Sequence, residues 1–133
     1  EGVKIIEDIL VGCEEITSIT LPESLEEIAN STITYCSKVE SLRLPSNLKK
    51  IGDWNFHGCN IKNLQLSGDS TINVALKYVL DNPEYWESLE TIALEYPNDT
   101  DENKKDYEKK LKKNQKVKHI HLCHIFYSVF VNV

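Results

Sequence analysis

Residues 28–51 read IANSTITYCSKVESLRLPSNLKKI, and almost every apolar position in that stretch has a counterpart one fixed step away. Cys13, Cys36 and Cys59 are spaced 23 residues apart, as are Ile5, Ile28 and Ile51, and Leu10, Ile33 and Phe56. A fixed period of this length is the signature of a stacked solenoid. Solenoids usually work as extended binding surfaces and seldom as reaction vessels.

Each repeat holds a segment of the form apolar-x-x-apolar-x-Leu. The copies are Ile16/Ile19/Leu21, Val39/Leu42/Leu44, Ile61/Leu64/Leu66, Leu89/Ile92/Leu94 and Val117/Ile120/Leu122. Alternation at the end of each segment is a strand period, with one side chain in two facing the core. Five strands running the same way predict a parallel sheet. Leu21-Pro22 and Leu44-Pro45 follow the first two, and proline ends a strand because it cannot donate to the ladder. Leu25, Ile28, Leu48 and Ile51 then line the return path.

Leu21-Pro22-x-x-Leu25-x-x-Ile28, and Cys36-x-x-Val39-x-x-Leu42-x-Leu44-Pro45, resemble the BspA-like (Treponema-type) leucine-rich repeat. The run Ile51-Gly52-Asp53-Trp54-Asn55-Phe56-x-Gly58-Cys59 is similar to that family's Ile-Gly-x-x-Ala-Phe-x-x-Cys core. The resemblance covers residues 5–66, with Thr32 and Asn55 standing where the family usually has Ala. It implies an α/β solenoid with a parallel sheet on the concave face and short helices or irregular turns on the convex face. It also implies a non-enzymatic, protein-binding module of the cell surface, secreted or surface-attached, engaged in adhesion to extracellular-matrix or host proteins. The alternative is a scaffolding repeat that docks another domain inside the cell.

The chain of 133 residues suffices for one domain with its own core. That domain spans 1–133, with regular repeats over 1–66, longer helix-containing repeats over 67–122 and a C-terminal capping strand over 123–133. A net charge of −6 gives no basic footprint for nucleic acid. No apolar run is long enough to span a membrane. The sequence lacks Met and opens inside a repeat, which reads as a piece of a longer precursor or a processed form. The repeat cysteines read as small buried apolar residues, since parallel ladder neighbours have poor disulfide geometry.

Ile72–Leu80, INVALKYVL, has helical spacing and is stopped by Asp81-Asn82-Pro83. A second helix is expected after Pro97, with Asp101 and Glu102 in its first turn and Lys109, Lys110, Lys112 and Lys113 late, in an order that suits the helix dipole. Its apolar stripe is only Tyr107 and Leu111. Ile125–Val133 is an apolar edge that needs cover.

The candidate binding surface is the outward face of the sheet. One column reads Ser18, Ser41, Asn63, Thr91 and His119; the next reads Thr20, Arg43, Gln65, Ala93 and His121. Beside them Glu40, Lys62, Glu90 and Lys118 alternate in sign, which fixes register and solubility. His119, His121, Cys123 and His124 form the one cluster with metal-ligand chemistry, with Glu95 expected beside Cys123. It has no CxxC partner pair, so neither metal nor cofactor is assigned. Asn30-Ser31-Thr32 and Asn98-Asp99-Thr100 match the N-glycosylation pattern. The chain carries no nucleophile elbow, P-loop or dinucleotide fingerprint.

Overall fold

The computed structural model describes residues 2–96, 105–106, 109 and 121–126. Among the described residues the elements with defined bounds follow one another as β1 (Ile5–Ile6), β2 (Leu10–Val11), β3 (Glu27–Ile28), β4 (Ile33–Thr34), β5 (Ser41–Leu44), β6 (Lys50–Ile51), β7 (Asn63–Ser67), α1 (Asp69–Asp81), β8 (Thr91–Tyr96) and β9 (His121–Phe126). A 3-10 turn, Pro83–Trp86, separates α1 from β8.

Every strand pair is parallel. The first sheet runs β1-β3-β6, the second is the pair β2-β4, and the third runs β5-β7-β8-β9. The period seen in the sequence is thus the ladder step: Leu10 pairs with Ile33, Ile28 with Ile51 and Leu42 with Leu64. Between the sheets lies one core of Leu25, Ile28, Ile33, Leu44, Leu48, Phe56, Leu64, Leu66, Ile72, Leu76 and Ile92, all inaccessible to solvent. Alternation in β5 and β7 buries Leu42, Leu44, Leu64 and Leu66 and turns the residues between them outward.

The helix α1 starts earlier than its apolar spacing predicts, at Asp69, and buries Ile72, Ala75, Leu76 and Val79. Its first turn is tied to the Pro45 turn of the preceding repeat. The Thr71 hydroxyl donates to the Pro45 carbonyl and accepts from Leu48 N–H at 2.9 Å, while Ser70 Oγ donates to Leu48 O at 2.7 Å. The helix packs on β6 and β7, so it takes the place of a further short strand.

Two expectations need correction. The Ile16–Leu21 segment forms no strand. Leu21 is buried, but Ile16 and Ile19 are only half-covered. Strand β9 runs over His121–Phe126. Its register is shifted by two residues from the expected one, pairing Thr91 with His121 and Ile92 with Leu122. A two-residue slip keeps every residue on its original face, so alternation alone does not detect it. The expected second helix over 101–113, apart from Lys105, Asp106 and Lys109, and the apolar tail beyond Phe126 lie outside the described residues.

Two polar residues are wholly buried where the repeat pattern expects Ala. The Asn55 amide makes four hydrogen bonds. Its Oδ1 accepts from Thr32 N–H and Ile33 N–H, both at 2.9 Å, and its Nδ2 donates to Ala29 O at 2.8 Å and Gly52 O at 2.9 Å. This uses the full capacity of the group and staples one repeat to the next. The Thr32 hydroxyl has a single long bond, from Oγ1 to Asn30 O at 3.5 Å. The neighbouring Gly52 is required by space, because a Cβ there would lie 2.6 Å from Asn30 N and 2.8 Å from Ala29 C.

Candidate functional site

The outward residues of β5, β7 and β8 form polar columns. Ser41, Asn63 and Thr91 are register partners. Asn63 Nδ2 donates to Ser41 Oγ at 3.2 Å, and Thr91 Oγ1 donates to Asn63 Oδ1 at 2.6 Å. The side chains of one column therefore form a hydrogen-bonded chain across three strands. In the next column Arg43 pairs with Glu23 from the preceding turn, and Gln65 Nε2 donates to Glu95 Oε2 at 3.1 Å. Lys62 meets Glu40 at 3.3 Å, so the alternating charge column is realised over its first two members.

The structure divides the sequence-derived residues into three groups. Ser41, Arg43, Asn63, Gln65 and Thr91 share one sheet face. Ser18 and Thr20 belong to the unpaired first segment and are exposed. His121 lies in the Ser41 column, beside Thr91, where His119 was expected; His119 lies outside the described residues. In the Arg43 column the position beside Ala93 belongs to Cys123, and Glu95 is opposite Ile125. The expected Glu95–Cys123 neighbourhood is therefore not formed. Among the described residues no group of three or more His, Cys, Asp or Glu is placed to hold a metal ion.

Acid–base chemistry finds little purchase in the described residues. Cys13, Cys36 and Cys59 are free thiols. Burial pushes Cys36 up, and pushes Cys59 up to about 11. A thiol held protonated in this way is a poor nucleophile. Burial likewise raises the Tyr78 phenol, whose hydroxyl donates to Asn55 O at 2.8 Å. The Glu26 carboxyl is held below its ordinary value: Lys4 hydrogen-bonds it at 3.4 Å, and Lys49 adds charge from the next repeat at 3.5 Å. A cavity of about 400 Å³ opens between β6 and α1. Its lysines are engaged: Lys77 with Asp81 at 2.6 Å, Lys50 with Glu27 at 3.3 Å, and Lys49 with Glu26.

Asn30 is exposed, but its Oδ1 accepts the Asp53 N–H at 2.8 Å, and Thr32 of the same triplet is buried. Asn98 lies outside the described residues. A feature the sequence reading passed over is a group of rings on turns outside the third sheet, the exposed Tyr35 and Trp54 with the half-buried His57 and Tyr85. Their spacing carries no period, so only the folded chain brings them together.

The family described as "BspA type Leucine rich repeat region" matches residues 3–94 in six copies. No curated protein and no solved structure matches the chain. Among the described residues no helix is long and apolar enough to cross a membrane.

Proposed function

Because the chain belongs to the BspA-type leucine-rich-repeat family, we propose that it is a non-enzymatic protein-binding module. Its repeats wind into a solenoid, and the outward face of the third sheet is the concave binding surface. One observation carries this reading: Ser41, Asn63 and Thr91 present a pre-ordered row of hydroxyl and amide groups, flanked by the half-exposed Arg43 and Gln65. Side chains already held by their neighbours lose little freedom when a partner binds. Extended surfaces of this kind suit a protein ligand.

The partner class is an extracellular-matrix or host protein, and the location is the cell surface or the secreted fraction. The register position of His121, beside Thr91, continues the row toward the C-terminal side. The test is capture of purified matrix proteins by the immobilised chain, beside a variant with Arg43, Gln65, His119 and His121 changed to Ala. A partner held by the parent and lost by the variant supports the surface. Capture that survives all four changes refutes it.

A further inference from the structure

Two turn positions of the repeat are held in left-handed backbone. One is the column Asp8, Ser31 and Trp54, with φ of 51°, 52° and 66°; the other is Gly12, Tyr35 and Gly58, at 67°, 56° and 75°. Glycine enters this region freely and Asp is tolerated there, whereas bulky side chains are disfavoured. Trp54 and Tyr35 are thus the costly members of their columns. Burial does not compensate them, because Trp54 is 59% exposed and Tyr35 49% exposed. Side chains kept at strained, exposed positions point to a role outside folding.

The two rings belong to one patch assembled from three successive turns. Tyr35 meets His57 edge-on, with centroids 5.2 Å apart. His57 meets Trp54 at 6.1 Å and Tyr85 at 5.3 Å, and Trp54 lies 6.4 Å from Tyr85. Gly58 makes room for this arrangement, since a Cβ there would fall 2.4 Å from Tyr35 Cδ1. Tyr35 N–H is also fixed, donating to His57 O at 2.8 Å.

The patch is anionic as well as aromatic. Asp53 precedes Trp54, Glu84 precedes Tyr85, and both acids are exposed. Burial raises the Tyr85 phenol, and the charges of Glu84 and Asp53 raise it further, so both carboxylates act at the rings. Among the described residues neither acid has an ion-pair partner, whereas Lys49, Lys50 and Lys77 are each paired elsewhere. Ring faces are electronegative and attract a flat or greasy cation. A neutral sugar would use the rings but gain nothing from two unpaired carboxylates.

We propose that Tyr35, Trp54, His57 and Tyr85, with Asp53 and Glu84, form a second binding surface that takes a basic protein segment, its arginine or lysine side chains lying on the rings between the two acids. The surface is separate from the third sheet and does not depend on the function proposed for it. The test is a tryptophan-fluorescence titration at neutral pH and low salt with a short peptide alternating glycine and arginine. The same peptide carrying glutamate, and a linear neutral oligosaccharide, serve as comparisons.

The arginine peptide is expected to give a saturable change and the glutamate peptide none. The double variant Asp53→Asn with Glu84→Gln is expected to bind about 10-fold more weakly, as two partly exposed charge contacts imply. Trp54→Gly, which keeps the left-handed turn without strain, is expected to fold with an undiminished melting midpoint and to bind the arginine peptide more weakly by isothermal titration calorimetry, which does not depend on the lost fluorophore. The proposal is overturned by the absence of a saturable change, by equal affinity in the double variant, or by a response to the oligosaccharide in place of the arginine peptide.

Discussion

Asn55→Ala tests whether the buried amide holds neighbouring repeats together. The substitution removes four hydrogen bonds of 2.8–2.9 Å. Thr32 N–H and Ile33 N–H then lose their acceptor inside the core. A buried donor left without a partner costs roughly 1–3 kcal/mol, so two give about 2–6 kcal/mol. Water entering the vacated space recovers part of this, which places the expected loss near 3–4 kcal/mol. Urea unfolding followed by circular dichroism reads it directly: with a slope of about 1.5 kcal/mol per M, the midpoint falls by roughly 2 M. Asn55→Asp keeps the acceptor but turns a carboxylate toward the Ala29 and Gly52 carbonyls, and is expected to be at least as unstable at neutral pH. The opposing idea is specific, because related repeats usually carry Ala here. If this backbone closes equally well around Ala, the midpoint falls by less than about 0.3 M at unchanged slope. That result would refute the staple.

Other consequences are simpler. Phe56→Ala empties a fully buried site between Tyr78 and Trp86 and is expected to cost about 3–5 kcal/mol in the same assay. Gly52→Ala drives a Cβ into the Asn30 and Ala29 backbone and is expected to cost about 1–3 kcal/mol, visible as a lower thermal midpoint. Arg43→Ala removes only an exposed ion pair; its stability is expected to stay within about 0.5 kcal/mol of the parent, so lost binding would report on the surface alone. Cys59 has a folded pKa of about 11 against an ordinary 9.0, so the folded chain holds that proton more tightly than the unfolded one. Its contribution is complete below pH 9 and is lost as pH rises toward 11. Melts across that window should show a decline that is smaller in Cys59→Ala, and an identical decline in both would refute the assignment.

The repeat was legible because stacking forces periodicity on the sequence. Leu42 and Leu64 must occupy equivalent places for their ladder to form, and the step between them is visible without coordinates. The buried role of Cys36 and Cys59 follows from the same logic, as does the outward direction of Ser41, Asn63, Arg43 and Gln65. The register of β9 was not legible, because a slip of two residues leaves the alternation of the sequence unchanged. Nor was the lack of a strand at Ile16–Leu21, whose pattern matches the others. The pattern gives the preferred face, whereas pairing needs a neighbour in position.

The sequence by itself determined the period, the direction of the strands and the apolar face of each, since these are local demands repeated along the chain. Tertiary structure alone decided three things. It gave Asn55 four partners from neighbouring segments, it set Arg43 against Glu23 and Gln65 against Glu95, and it gathered Tyr35, Trp54, His57 and Tyr85 into one partly exposed patch. Each depends on side chains from different turns meeting across the stack, and such meetings depend on how successive turns are offset in space, which no single repeat encodes.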